Sequence, residues 1–255
     1  MGAQTVSPHV AMSAPVLLRE PCNSTPRGSL VFLHGAGGHH GIWEGVVRAL
    51  GSLPWLRVRI DLPGHGRARD LPPLHQADLL LTRLQASLQE LPPPLLLVGH
   101  SMGGRIALAL VQAGLPVQGV FLVASLPHLP VFSGGPDPDP DRLCRRLFGL
   151  PRWVERCRKH TRRLLEQPDV IRADFRLIEE LNRMPLPAQV PGLEAVFGSR
   201  EHLFTPSQIL AFQEHYPDVR LHTLPHVGHM IPLEAPRPLA ALIAAWIPRI
   251  AGSPA

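Results

Sequence analysis

The chain has 255 residues, 45% of them apolar and 18% charged, with a mean hydropathy of +0.07; that is enough apolar material for one well-buried core and too much for a disordered chain. No window approaches eighteen uninterrupted apolar residues, and the first twenty positions mix Gln4, Ser7, His9, Pro15 and Arg19, so neither a membrane span nor a signal peptide is predicted. The net charge is +5, but Lys159 is the single lysine, and the segment 142–163 holds nine basic residues against Glu155, a local +8 that leaves −3 for the rest. With 30 prolines beside it, this reads as arginine bias rather than a nucleic-acid surface. Cys22, Cys144 and Cys157 are odd in number and lack metal-ligand spacing, so neither a disulfide framework nor a zinc site is expected, and a reducing cytoplasm fits.

In chain order, a short β-rich run at 16–19 is followed by a strand at 30–33, a helix at 43–50, a strand at 56–60 and a helix at 74–90. A strand at 95–98, a helix at 102–112 and a strand at 120–123 come next. Strand 195–197, helix 206–215, strand 219–224 and helix 236–250 complete the series. Short β-rich apolar runs alternate with longer helical patterns that repeat apolar residues at three and four, the rhythm of an α/β domain whose parallel strands are buried on both faces. Between Ser125 and Val190 the rhythm breaks. A Pro, Gly and Asp cluster at 133–141 opens that stretch, and Leu143, Leu147, Leu150, Val154, Cys157, Thr161 and Leu164 then recur at four and three. Arg145, Arg152, Arg156, Lys159 and Arg163 gather on the other side, so a helical insertion is predicted, divided in two by Pro151.

Gly99-His100-Ser101-Met102-Gly103 follows one strand directly and opens a helix. A serine on so tight a strand-to-helix turn is forced into a strained backbone that lifts its hydroxyl clear of the sheet, with small residues needed on either side. A serine hydroxyl is a poor nucleophile without a base, and the base needs an acid to orient it. His229 follows the last strand and has Gly228 beside it; His226 competes for the role. Glu201, in Gly198-Ser199-Arg200-Glu201-His202, is the carboxylate at the preceding strand end; otherwise it is an exposed partner of Arg200. Oxyanion donors are expected from the N–H groups of Met102, at the helix start, and of Ala36 in His34-Gly35-Ala36-Gly37-Gly38. That glycine-rich turn lacks the ending of a phosphate-binding loop, and His34 is read as structural.

With His34-Gly35, Asp61-Leu62-Pro63-Gly64-His65-Gly66, Gly99-His100-Ser101-Met102-Gly103-Gly104 and Gly228-His229 in this order, the chain resembles the α/β-hydrolase superfamily, in its serine-nucleophile, esterase- and lipase-like branch, across nearly its whole length. The resemblance implies a mostly parallel eight-stranded sheet flanked by helices, seven-stranded if the short N-terminal region lacks the first strand. It also implies a helical lid inserted after the sixth strand: 1–125 and 191–255 would form the core and 126–190 the lid. Glu201 departs from the usual aspartate, and Ser101 excludes the aspartate-nucleophile branches.

The expected reaction is cleavage of a small-molecule carboxylic ester or thioester through an acyl-enzyme on Ser101, with no metal and no organic cofactor. His39, His40, Trp43, Phe132, Phe148 and Trp153 are candidates for the pocket wall or, equally, for core and surface. The arginine-rich segment either attracts an anionic acyl donor, such as a coenzyme A thioester or an acidic carrier protein, or is a solvated helix face. Two further classes remain: a lyase that keeps serine and histidine, since 99–105 also resembles a synthase of menaquinone formation, and a binding protein without activity, which requires Glu201 to point away from His229.

Overall fold

A computed structural model describes residues 14–20, 22, 24–131, 139–149, 158 and 165–251. Strands β1 (Val16–Glu20), β2 (Ser29–Leu33), β3 (Leu56–Asp61), β4 (Leu95–His100), β5 (Gly119–Val123), β6 (Glu194–Gly198) and β7 (Arg220–Leu224) form one seven-stranded sheet in the order β1-β3-β2-β4-β5-β6-β7. β1 pairs antiparallel with β3, and all the other neighbours are parallel. Among the described residues, therefore, the sheet has seven strands rather than eight. β4, Leu95–His100, explains why alternation is missing from the sequence: all six residues are buried. Leu95 and Leu97 enter the core on one face, Leu96 and Val98 the core on the other, as a two-residue period requires.

The first face is covered by α2 (Ala77–Gln89) and α3 (Met102–Gln112), the second by α1 (Glu44–Leu50) and α8 (Pro236–Ala251). α6 (Pro206–His215) adds Phe212 to the first core, and the short α7 (Ile231–Glu234) adds Ile231 to the second. Trp246 on α8 is fully buried, its ring edge-on to Phe121 at 5.4 Å and its Nε1–H donated to Gly192 O at 2.8 Å.

Between β5 and β6 the chain passes through α4 (Pro140–Leu147) and α5 (Pro168–Arg183). Asp139 caps α4 by accepting from the N–H groups of Asp141 and Arg142, and Pro140 takes a first-turn position where its missing N–H is harmless. α4 stops at Leu147, earlier than Pro151 alone demands, because Phe148 is extended and Gly149 is pressed onto Gly228. A Cβ on Gly149 would lie 2.6 Å from Gly228 N. The expected continuation through Leu150, Pro151, Val154, Cys157, Thr161 and Leu164 lies outside the described residues.

α5 turns Ile171, Asp174, Leu177, Ile178 and Leu181 inward and is tied to the core along its length. Glu180 accepts the Ala77 N–H at the start of α2, Asn182 exchanges two bonds with the backbone of Leu129, and buried Arg105 donates to the Leu181 and Met184 carbonyls. Desolvation lowers the Arg105 pKa to about 10, with Tyr216 acting in the opposite direction. Cys144 on α4 is disulfide-bonded, to a partner outside the described residues, and Cys22 is free. This corrects the expectation of reduced thiols: an odd cysteine count does not exclude one bonded pair beside a free thiol. No helix among the described residues is long and apolar enough to cross a membrane.

Trp246→Ala removes one of the three tryptophans of the second core and leaves Gly192 O without its donor. It is expected to lower the unfolding free energy by about 3–5 kcal/mol, measurable by urea titration; a loss under about 1 kcal/mol would contradict the packing described.

Candidate active site

Ser101 sits between β4 and α3 with φ 51° and ψ −118°, a left-handed conformation that non-glycine residues avoid. The surroundings impose it. Its N–H donates to Val123 O at 3.0 Å, and its carbonyl accepts from Gly104 N–H at 2.9 Å and from Ser125 Oγ at 2.7 Å. There is no room to relax, because a Cβ on Gly99 would come 2.4 Å from Gly104 Cα and one on Gly103 would come 2.3 Å from Leu33 O. α3 thus begins hard against the ends of β2 and β4, with the first-turn N–H groups that helices leave without internal partners beside Ser101.

His229 follows β7. Its Nδ1–H donates to Glu201 Oε2 at 2.8 Å, and the side chains are 3% and 4% exposed. The loops that carry the two residues hold each other: Ser199 N–H donates to Leu224 O, Arg200 N–H to Val227 O and His226 N–H to Ser199 Oγ. Burial alone would raise the Glu201 pKa, but the His229 charge and hydrogen bond, with the N–H groups of Leu203 and His202, outweigh it and hold the carboxyl below its ordinary range. Glu201 is not paired with Arg200, whose Nη1 donates instead to Gly149 O. His226 is exposed, on the outer side of the loop. His100 Nε2–H donates to His229 O at 3.0 Å, which seats the histidine loop on the residue before Ser101.

Ser101, His229, Ala36 and His100 border one cavity of about 100 Å³, enclosed mainly by apolar side chains from the core and from the insertion, such as Leu143, Leu147, Ile171, Phe175 and Phe204. One water-sized probe needs about 10–15 Å³, so a short acyl chain fits beside Ser101. Arg146 on α4 also borders it. The turn 35–38 lies directly against the serine, since a Cβ on Gly35 would meet Ser101 Cβ at 3.0 Å.

The aromatic wall expected from sequence is placed otherwise. Trp43 is fully buried beside Phe32, in the second core. Phe148 is buried in a cluster with Leu147, Ile171 and Met230, behind the cavity rather than on it. His39 caps the short 3-10 turn His40–Trp43 by accepting the Gly41 N–H. Phe132 and Trp153 lie outside the described residues. The apolar lining comes instead largely from α4 and α5, Phe175 included, while Trp43 ends its 3-10 turn inside the second core.

His39, His40 and Asp61 bring ligand atoms within 4.8 Å of one another, yet these atoms serve the backbone. Asp61 accepts from His40 N–H, His40 Nδ1–H and Arg67 N–H. The donor set pins the turn, and its chemistry does not call for a cation. His34, fully buried, is driven down to about 3 by desolvation and by neighbouring His65; neutral, it donates from Nδ1 to Gly35 O and accepts Leu62 N–H at Nε2.

Two buried carboxylates escaped the sequence reading. Glu234 accepts from Gly149 N–H and Gly228 N–H, so it joins the insertion to the histidine loop, and desolvation raises its pKa despite those bonds. Asp174 meets His65 Nε2 at 3.0 Å. Burial lowers the His65 pKa, but Asp174, through charge and hydrogen bond, together with Pro63 O and Asp61, raises it overall.

The family described as Alpha/beta hydrolase family matches residues 30–242. The pimeloyl-[acyl-carrier protein] methyl ester esterase of Nitrosomonas europaea is 29% identical over 232 residues, covering 78% of this chain and 88% of that protein. The enzyme of the same name from Yersinia pseudotuberculosis is 31% identical over 226 residues, covering 85% and 80%. Among solved structures, a thermophilic esterase from Thermogutta terrifontis superposes with a TM-score of 0.74 at 18% identity, covering 92% of this chain and 93% of that one.

A histidine whose folded-state pKa is raised contributes stability that is complete below its unfolded pKa of about 6.5 and fades as pH rises through the folded value. The stability difference between the wild type and His65→Gln, read from denaturant midpoints, is therefore expected to be largest below the unfolded pKa of about 6.5 and to shrink as pH rises above it. A difference that widens with pH would contradict the assignment of charge.

Proposed function

This chain belongs to the α/β-hydrolase family and is an esterase-like serine hydrolase, and from that premise we propose that Ser101 is its nucleophile, His229 the general base and Glu201 the acid that orients the base. The observation that carries this reading is the strained Ser101 on a cavity shared with a His229 whose Nδ1 is hydrogen-bonded to buried Glu201. With Nδ1 protonated toward a carboxylate, Nε2 is left as the proton acceptor. His229 takes the Ser101 proton as Oγ attacks the ester carbonyl, and the N–H groups of Met102 and Ala36 receive the oxyanion. Collapse expels the alcohol with the proton returned by His229. Water, deprotonated by the same residue, then releases the acid. Charge on Glu201 stabilises the imidazolium in both halves, and its lowered pKa keeps it ionised at neutral pH.

Residues 126–190 act, in this reading, as a lid between the core parts 1–125 and 191–255, and α4 and α5 supply the acyl-chain wall. The substrate we propose is an ester of a short acyl chain whose remainder is anionic. Support comes from the nine basic residues of 142–163, from Arg146 at the cavity, and from relatives whose names specify a methyl ester on an acyl carrier protein. A buried Glu201 bonded to His229 also favours catalysis over a silent binding protein.

A fluorophosphonate is expected to add its mass at Ser101, and hydrolysis of p-nitrophenyl butyrate to vanish in Ser101→Ala. A folded wild type that is unlabelled there and turns over no ester would return the lyase reading to the front. Hydrolysis of an anionic acyl ester is expected to slow as ionic strength rises from about 0.02 to 0.5 M while that of a neutral ester does not; equal responses would remove the electrostatic role of the lid.

A further inference from the structure

Asp174 takes no part in the proposed reaction, yet its carboxylate reaches from α5 of the insertion to the turn that carries Ala36. Oδ2 accepts the Gly37 N–H at 2.7 Å and the His65 Nε2–H at 3.0 Å, and both side chains are 2% exposed. His65 Nδ1 faces Pro63 O at 3.1 Å. Two acceptors, one at each ring nitrogen, fit an imidazolium, so the buried carboxylate has its counter-charge. The turn has a defined type. Gly38 N–H donates to Gly35 O at 2.9 Å, Gly37 has φ +61°, and Ala36 is absent from the residues with positive φ, which together describe a type II turn with glycine at its third position.

Such a turn has a close alternative. Rotating the central peptide, here Ala36–Gly37, by about half a turn converts type II into type I while the Gly35–Gly38 hydrogen bond survives. Here the rotation would withdraw the Gly37 N–H from Asp174 and bring the Ala36 carbonyl oxygen toward a desolvated carboxylate. A charge-assisted hydrogen bond would be exchanged for repulsion. His34 fixes the other end of the turn through Gly35 O.

We propose that Asp174 is a positioning residue for the oxyanion-binding turn: carried by the insertion and charge-balanced by His65, it fixes the Ala36–Gly37 peptide through the Gly37 N–H and thereby the conformation of the turn that carries the preceding Ala36 N–H beside Ser101. The lid thereby contributes to the reactive site from behind as well as to the acyl-chain wall. The inference rests on the serine esterase reading given above.

The test measures kcat and KM for p-nitrophenyl butyrate, with melting temperature, on the full chain. Removing an oxyanion donor outright costs about 10²–10³ in kcat. Asp174→Ala, which only frees the turn, is expected to lower kcat by about 10- to 100-fold with KM within about twofold. Asp174→Asn, which retains an oxygen for Gly37, should recover most of it. Glu180→Gln weakens a different tie of the same helix, at Ala77 N–H, and should lower the melting temperature with kcat within about twofold. Asp174→Leu combined with His65→Leu leaves no unpaired buried charge, so it folds even where Asp174→Ala does not; it should still show the kcat loss. Unchanged kcat in the folded Leu pair or in Asp174→Ala, or an equal kcat loss in Glu180→Gln, would overturn the proposal. A wild type no more active than Ser101→Ala would overturn the esterase reading and this inference with it, whereas an active wild type with unimpaired Asp174 variants overturns the inference alone.

Discussion

Everything around the site is built to keep one residue in a backbone conformation it would not choose. Ser101 at φ 51° is held by hydrogen bonds to β5 and to the first turn of α3, and by the near-contact of Gly99 with Gly104 and of Gly103 with the end of β2. Strain of that kind amounts to roughly 1–3 kcal/mol per residue and persists only where neighbours leave no alternative. The parallel sheet supplies that rigidity, since both faces of β4 are buried in separate cores. What emerges is a hydroxyl at the carboxyl edge of the sheet, beside the start of a helix and next to a cavity lined mainly by apolar side chains.

Buried carboxylates do the remaining work of placement, each closing a loop that has little regular structure. Asp61 pins the 3-10 turn after Gly38, Glu201 orients His229, Glu234 joins the histidine loop to Gly149, and Asp174 joins α5 to Gly37. Each accepts hydrogen bonds that desolvation makes expensive to lose. The insertion is consequently fastened at both sides of the cavity, at the turn 35–38 and at the histidine loop.

Much of this was legible in the amino-acid order, for identifiable reasons. The strands stood out because residues such as Leu95 to Val98 are buried on two faces, so they read as unbroken apolar runs. Ser101, Glu201 and His229 stood out because each lies in the turn or loop that follows a strand. Asp174 and Glu234 did not. Asp174 reaches Gly37 N–H and His65, 137 and 109 residues away, and Glu234 takes Gly149 N–H from 85 residues away besides the nearby Gly228 N–H, and a backbone N–H has no residue type to betray it. The wall of the cavity was left open between pocket and core for a similar reason: Trp43 and Phe148 are bulky and near in sequence to the reactive loops, but which way they face is decided by packing. α5 itself was hidden in a segment whose arginine pattern pointed to its predecessor. The disulfide at Cys144 was likewise invisible to spacing alone.

A crystal structure of the protein inactivated by an alkyl phosphonate tests the central claim most directly. The account predicts phosphorus bonded to Ser101 Oγ, its free oxygen within about 3 Å of the Met102 and Ala36 nitrogens, His229 Nε2 facing Oγ, and the alkyl chain between α4 and α5. Phosphorus on another residue, or an oxygen turned to solvent away from both N–H groups, would contradict it.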